Sequence, residues 1–162
     1  METLMPVAAR VGEQLKARGE TIAVGESSAG GLVAAALLAV PGASAYFLAG
    51  SVVYTVRARE ALAGITKDDM KDLRSSSEPY ASLLAAAVRD RVSATWGLAE
   101  TGAAGPTGNR YGDPAGHTCI AVAGPVSNVM TYRTDSDDRV GNMTAFALRT
   151  LEIMEAALED AP

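Results

Sequence analysis

The stretch from residue 21 to residue 40 constrains the fold more than any other part of the chain. Its first four residues, Thr-Ile-Ala-Val, predict a short strand, and the alanine- and leucine-rich run from Leu32 to Val40 predicts a helix. Between them, residues 25–31 read Gly-Glu-Ser-Ser-Ala-Gly-Gly. A strand that leads through a short polar turn into a helix indicates a layered α/β fold.

This turn has two possible roles. Backbone N–H groups and a helix N-terminus that converge on one point favour an anionic ligand, and Ser27 and Ser28 stand where a nucleophile could act. Alternatively, the turn is an ordinary strand–helix connection in which the serines cap the helix. The local sequence leaves both roles open, because short motifs have many false positives.

The remaining chain alternates helix and strand patterns. Helices are predicted from Leu4 to just before Gly19, and at about 28–38, 57–63, 77–94 and 138–158. Strands are predicted at about 21–24, 49–55, 96–100, 118–123 and 126–133, the last two forming a hairpin. This order predicts a three-layer α/β/α sandwich with a mixed β-sheet, and the length fits a single domain over residues 1–162.

Composition excludes several classes of protein. The net charge is −5 and no basic cluster occurs, which argues against a nucleic-acid partner. A single cysteine, Cys119, and a single histidine, His117, argue against an internal disulfide and against a histidine-cluster metal site. No apolar run reaches the ~18 residues of a membrane helix, and the N-terminus lacks the basic start of a secretory signal. We therefore expect a cytoplasmic protein with no metal, no cofactor and no membrane partner.

Polar or glycine residues follow three of the predicted strands. They are Glu26-Ser27-Ser28, Tyr54-Thr55 and Thr101-Gly102. Ligands of open α/β sheets bind beyond the carboxyl ends of strands, so these segments predict one shared site. The glycine-rich loop from Gly102 to Gly108 either lets the backbone approach a ligand closely or is a flexible surface loop.

Three motifs occur in an order that a known family shares. The family's Ala-Glu-Ser-Cys-Thr-Gly-Gly appears at residues 25–31, its Pro-Gly-Ser-Ser-Ala-Tyr-Phe at 41–47, and its Thr/Ser-Gly-Ile-Ala-Gly-Pro at 101–106. From about Val7 to Leu151 the chain thus resembles the CinA C-terminal-domain family, the single-domain nicotinamide-nucleotide amidohydrolases. The resemblance implies hydrolysis of nicotinamide mononucleotide to nicotinate mononucleotide and ammonia, a reaction of NAD recycling.

The resemblance also implies roles for individual residues. Ser27 corresponds to the nucleophile, Tyr54 to a supporting phenol, and Arg59 to the position of the family's catalytic lysine. Backbone N–H groups of the glycine turns would hold the oxyanion. The remaining residues of the implied site are expected to bind the nucleotide substrate: Glu26, Ser28, Gly30, Gly31, Ser44, Thr55, Thr101, Gly102, Gly105 and Gly108.

Arg59 is the main departure from the family pattern. A lysine beside a serine can act as a base, whereas arginine stays protonated at ordinary pH. Two hypotheses follow: an active amidohydrolase, or a catalytically impaired paralogue that binds a nucleotide or has a structural role. Arg59 itself either binds a phosphate or carboxylate through both ends of its guanidinium or lies on a solvated helix face. Because the alanine-rich helices need cover, we also expect a homo-oligomer.

Overall fold

The computed structural model describes all 162 residues and shows a five-stranded sheet between two helical layers. This confirms the predicted α/β/α sandwich with a mixed sheet. No helix of the structure combines the length and the apolar character needed to cross a membrane. The helices are α1 Met5–Arg18, α2 Leu32–Leu38, α3 Val56–Ala63, α4 Glu78–Arg91 and α5 Arg139–Asp160. The strands are β1 Ile22–Glu26, β2 Phe47–Val52, β3 Trp96–Ala103, β4 His117–Ala123 and β5 Asn128–Arg133, and a short 3-10 helix spans Ala43–Ala45.

The strand order brings the three predicted polar segments to one edge. The order is β2-β1-β3-β4-β5, and β1 pairs in parallel with both β2 and β3. The pairs β3–β4 and β4–β5 are antiparallel. Since β1, β2 and β3 run in the same direction, their carboxyl ends lie side by side at the same edge of the sheet.

Each face of the sheet has its own hydrophobic core. Helices α1, α2 and α5 pack on one face against residues such as Val24 and Leu98, and α4 packs on the other against Ala23 and Ala99. Successive strand residues therefore serve opposite cores. The α4 side depends on small residues, because a Cβ at Gly97 would collide with backbone of this helix. The abundance of alanine and glycine in the sequence thus corresponds to close helix–sheet packing.

Several element boundaries differ from the predicted ones. Helix α2 begins at Leu32 rather than Ser28, because residues 27–31 form a separate turn in which Gly30 and Gly31 have positive φ. Strand β2 ends at Val52 rather than Thr55, and Thr55 caps α3 instead. Strand β3 extends past Glu100 to Ala103 because it stays paired with β4. The predicted cap of the fourth helix, Ser77, accepts the N–H of Tyr80.

Candidate active site

The carboxyl edge of the three parallel strands holds a cavity of about 310 Å³, which we call the nucleophile cavity. Ser27 comes from the turn after β1, Tyr54 and Thr55 follow β2, and Thr101 and Gly102 end β3. The prediction that these three segments converge is confirmed by this geometry. The other lining residues are Val53, Val56, Arg59, Ser75, Ser76, Tyr80, Asn109, Arg110 and Tyr111.

A second cavity of about 250 Å³, which we call the glycine-loop cavity, adjoins the first. The two share Tyr54, Gly102 and Asn109 in their walls. Arg139 at the start of α5 lines only the second, and its guanidinium donates to the carbonyl of Gly105 at 2.6 Å and to the Tyr54 hydroxyl at 3.3 Å. The site therefore has two compartments, which suits a ligand with two chemically different ends.

The two serines of the turn face different surroundings. The Ser27 side chain lines the nucleophile cavity, and no protein group hydrogen-bonds its hydroxyl, although its backbone N–H donates to Glu100 at 3.1 Å. Ser28 is only 5% exposed, and its hydroxyl donates to the carboxylate of Glu100. The hydroxyl of Ser27 therefore has no hydrogen-bond partner in the protein. The hydroxyl of Ser28, in contrast, holds the turn to Glu100.

Glu100 holds the turn in place from β3. It is fully buried, and its oxygens accept the N–H of Ala29 at 2.8 Å and the hydroxyl of Thr118 at 2.7 Å, in addition to the bonds from Ser27 and Ser28. A buried carboxylate is tolerated when several donors surround it. Sequence reasoning missed Glu100, although a charged residue inside an apolar strand was a usable signal.

Glu26 lies beneath the turn rather than in a cavity. It is 1% exposed, and it accepts backbone N–H groups of Gly31, Val33 and Ala34 at 2.8–3.0 Å, so it caps the first turn of α2. Burial raises the pKa of Glu26 to about 7; the bonds from these N–H groups oppose the shift, and the nearby charge of Glu100 adds to it. Both oxygens of its carboxylate accept N–H groups at the start of α2, and Glu26 lines neither cavity.

Arg59 lies in the wall of the nucleophile cavity, not on a solvated helix face. It is 8% exposed, and its guanidinium carbon lies 5.9 Å from the centre of the Tyr80 ring. Its Nε is buried without a hydrogen-bond partner, and no carboxylate lies within ion-pair distance of it. On the same helix, Arg57 is exposed. The second arginine of the segment is therefore the one that lines the cavity.

No aspartate, glutamate, histidine or lysine lines the nucleophile cavity. Its ionisable side chains are two arginines and three tyrosines. Burial raises the pKa of Tyr80, partly offset by the charge of Arg59. The hydrogen bond from Arg110, above all, lowers the pKa of Tyr111. No group of His, Cys, Asp and Glu side chains in the structure is arranged to hold a metal ion.

His117 and Cys119 lie behind the cavity wall. The Nε2 atom of His117 is 3.0 Å from the carbonyl oxygen of Ser76, and the Cys119 sulfur lies 3.7 Å from the same nitrogen. Both residues are buried, and burial raises the pKa of Cys119. A protonated, buried thiol is a poor nucleophile, so Cys119 supports the wall rather than reacting.

The residues expected to bind substrate are spread unevenly over the site. Thr55, Thr101 and Gly102 line the nucleophile cavity, and Ser28, Gly102, Gly105 and Gly108 line the glycine-loop cavity. The other four line neither cavity: Glu26, Gly30, Gly31 and Ser44. Gly30 and Gly31 shape the turn. Ser44 is exposed and precedes β2, which places it at the amino end of the parallel strands, opposite the site.

Residues outside the predicted set fix the loop that closes the site. Arg74 binds both carboxylate oxygens of Asp113, at 2.6 and 3.1 Å, and Asn109 donates to the same carboxylate at 2.8 Å. Burial by itself would raise the pKa of Asp113, but these bonds outweigh it and hold the pKa below its usual value. On the other side, Asn142 of α5 donates to the carbonyl of Ala104 at 2.8 Å. Both ends of the loop are therefore anchored.

Comparison with known proteins places this geometry in context. The sequence model of the CinA C-terminal domain matches residues 4–158. The chain is 39% identical over 158 residues to a CinA-like protein of Myxococcus xanthus, covering 96% of this chain and 37% of that protein. It is 38% identical over 127 residues to a CinA-like protein of Nostoc, covering 78% and 30%. The chain thus spans about a third of the length of these curated relatives.

Solved structures give the same fold. The crystal structure of a competence/damage-inducible protein from Agrobacterium tumefaciens superposes with a TM-score of 0.87 at 28% identity, covering 98% of this chain and 96% of that one. A CinA superfamily protein from Klebsiella pneumoniae superposes with a TM-score of 0.90, covering 96% and 98%. At 23% identity, the second likeness concerns the fold alone.

Proposed function

Since this chain belongs to the CinA C-terminal-domain family, we propose that it hydrolyses the carboxamide of nicotinamide mononucleotide to give nicotinate mononucleotide and ammonia. The observation that carries the proposal is the free hydroxyl of Ser27 in a cavity that also contains Tyr54 and Arg59. The Ser27 hydroxyl has no hydrogen-bond partner in the protein, and it lines the same cavity as the cation Arg59. This is the position expected of a nucleophile.

The reaction uses Ser27 twice. Its oxygen attacks the carboxamide carbon, and the negative charge that develops on the carbonyl oxygen is stabilised by Arg59 and by the N-terminus of α3. The carbon–nitrogen bond then breaks, and ammonia leaves with the proton that the serine gave up. Water next attacks the ester, which returns one proton to Ser27 and releases the acid; the acid then gives its own proton to the ammonia or to solvent, which leaves the carboxylate.

The two compartments fit the two ends of the nucleotide. The pyridine ring occupies the nucleophile cavity, where Tyr80 and Tyr111 supply aromatic walls. The phosphate occupies the glycine-loop cavity, where loop backbone and Arg139 face it. Tyr54, which lies in both walls and accepts a hydrogen bond from Arg139, is placed near the ribose between them.

Ammonia release tests the proposal directly. Purified protein is incubated with nicotinamide mononucleotide between about pH 6 and pH 9, and ammonia and the acid nucleotide are both measured. Ser27→Ala is expected to abolish release while still binding the nucleotide. Ser82→Ala, a change at an exposed serine of α4, is the matched control and keeps full activity. Equal rates in the Ser27 and Ser82 variants would refute the nucleophile assignment.

A second candidate function is nucleotide binding without turnover. It is favoured by the lack of a carboxylate, histidine or lysine in the nucleophile cavity. Without one of these side chains, the cavity has no usual general base to accept the serine proton. If the protein binds nicotinamide mononucleotide and releases no ammonia, this function applies. In that case Arg59→Lys is expected to create turnover, since a buried lysine can lose its proton and arginine cannot.

The location and pathway belong to the same proposal. A single buried cysteine fits a reducing compartment, so the cytoplasm is the proposed location. There the acid nucleotide would return to NAD synthesis. Reporter fusions and fractionation of cells that express the chain would test this location.

A further inference from the structure

Arg59 is a buried cation without a counterion. Its side chain is more than nine-tenths buried, donates no hydrogen bond to the protein and has one nitrogen, Nε, sealed from solvent without a partner. Leaving a buried charge unpaired is destabilising. The ring of Tyr80 offsets part of this cost. An anionic ligand in the cavity would supply the missing counterion and hydrogen-bond acceptor.

The other charged groups around the nucleophile cavity are also positive. Arg110 is the only other charged residue in the wall, although the whole chain has a net charge of −5. Thr55 and Val56 begin α3 at the same wall, so the positive end of this helix is directed there as well. The nucleophile cavity is therefore a locally positive site in an acidic protein.

We propose that Arg59 makes the nucleophile cavity a carboxylate subsite, so that the protein binds the acid nucleotide in preference to the amide. This inference rests on the proposed function, which places the reacting carbon beside Ser27. A carboxylate offers two acceptor oxygens to the guanidinium fork, which has only donors. A carboxamide offers one oxygen and an NH₂ group, and this NH₂ group meets the donors of Arg59 without a partner.

The phosphate of the nucleotide is the other anion that Arg59 could bind. The glycine-loop cavity already has the features of a phosphate site, with Gly105 and Gly108 in the wall and Arg139 beside them. The nucleophile cavity has instead the aromatic rings that a pyridine base would contact. The observations thus favour the carboxylate of the base at Arg59.

Calorimetric titration with both nucleotides tests the preference. Nicotinate mononucleotide and nicotinamide mononucleotide are titrated into Ser27→Ala, in which no turnover disturbs the measurement. The acid is expected to bind at least about tenfold more tightly than the amide. Adding Arg59→Gln is expected to bring the two dissociation constants together by weakening the acid, while the amide binds at least as tightly as before. Adding Arg57→Gln, the exposed arginine of the same helix, is the matched control and leaves the preference intact.

Folding of the variants is checked by thermal melting without ligand. Arg59→Gln removes an unpaired buried charge, so it is expected to melt no lower than its parent. Arg59→Lys is the second variant: it loses the planar fork but is still a cation at low pH, so at about pH 6 a reduced preference for the acid is expected to remain. Equal affinities for acid and amide in the Arg59 protein would overturn the inference. So would an Arg59→Gln variant that weakens both nucleotides by the same factor, which would assign Arg59 to the phosphate.

The results separate this inference from the proposed function. Preference for the acid without any ammonia release by the wild type would support the carboxylate subsite and refute the hydrolase. Ammonia release without preference for the acid would refute the subsite and leave the hydrolase standing. Binding of neither nucleotide would refute both.

Discussion

Two buried carboxylates determine the shape of the turn that carries Ser27. Glu26 binds the first N–H groups of α2 from below, and Glu100 binds the turn itself from the neighbouring strand. Since both are satisfied without any ligand, the turn does not depend on substrate for its conformation. Ser27 is therefore positioned in advance, which is what a nucleophile at a fixed distance from its target needs.

Replacement of Glu100 is expected to affect both stability and activity. Glu100→Gln substitutes an NH₂ donor for one oxygen, and this donor would face the hydroxyls or N–H groups that Glu100 now accepts. The free energy of unfolding should fall by about 1–3 kcal/mol. Any turnover should fall at least tenfold through kcat, while the affinity for the nucleotide changes little. Urea unfolding and ammonia assays measure the two effects, with Glu60→Gln on exposed helix surface as control.

Glu26 is expected to make stability depend on pH in an unusual direction. Its pKa is about 7 in the folded protein, well above the usual 4.5 of a glutamate, because burial penalises the charged form. The folded state therefore holds a proton that the unfolded state releases, and this contribution to stability is lost as pH rises from about 4.5 to 7. The full loss is on the order of 3 kcal/mol.

Glu26→Gln tests this dependence, because glutamine cannot ionise. The variant loses an acceptor oxygen and is expected to be less stable than the wild type at pH 5, where Glu26 is protonated in the fold. The difference should shrink, or reverse, by about pH 8, where the wild type contains the buried charge. Urea unfolding at several pH values measures both curves. Two parallel curves would show that Glu26 does not titrate in this range.

At the scale of elements, the sequence predicted those features that depend on neighbouring residues in the chain. Hydrophobic periodicity and the cap at Ser77 predicted the helices, and the polar ends of three strands predicted where the site lies. The shape of the turn at residues 27–31 was not predictable in this way. It depends on Glu100, which is 73 residues from Ser27 in the chain. The sequence could likewise not decide between exposure and burial for Arg59, because its burial depends on α4 packing over it.

The loop that closes the site depends on the ion pair between Arg74 and Asp113. Arg74→Met removes two hydrogen bonds that tie this loop to the segment before α4. We expect the dissociation constant for the nucleotide to rise roughly tenfold, with little change in the melting temperature, because Asp113 and Asn109 belong to neither core. Arg89→Met breaks a surface pair on α4 and serves as control. A large loss of stability with unchanged affinity would contradict this role.

This ion pair should not make binding pH-dependent near neutrality. The bonds from Arg74 and Asn109 hold the pKa of Asp113 below its usual value, against the opposing effect of burial. The carboxylate is thus charged throughout the neutral range, and its contribution is lost only as pH falls through that lowered pKa. Changes in affinity between about pH 6 and pH 8 would have to come from other groups.

At the scale of the whole molecule, the two edges of the sheet differ in character. Strand β2 forms one edge and contains no charged residue, and its Leu48 and Val52 side chains are 46% and 42% exposed. Strand β5 forms the other edge and ends in Arg133. Proteins usually protect a strand edge with charges, bulges or a covering element. The bare edge at β2 is therefore the surface at which cover by another chain is most expected.

We propose that a second copy of the chain covers the β2 edge, in line with the homo-oligomer expected from composition. Sedimentation and light scattering should then show a dimer, and the double variant Leu48→Lys, Val52→Lys should be monomeric and folded. The control is Val129→Lys, which places one lysine on the β5 edge, where the valine is 37% exposed. A wild-type monomer, or a dimer that survives the β2 changes and dissociates with the β5 change, would refute this assignment. Because Tyr54 and Thr55 follow β2 directly, a monomeric variant with weakened nucleotide binding would further show that the covered edge supports the site.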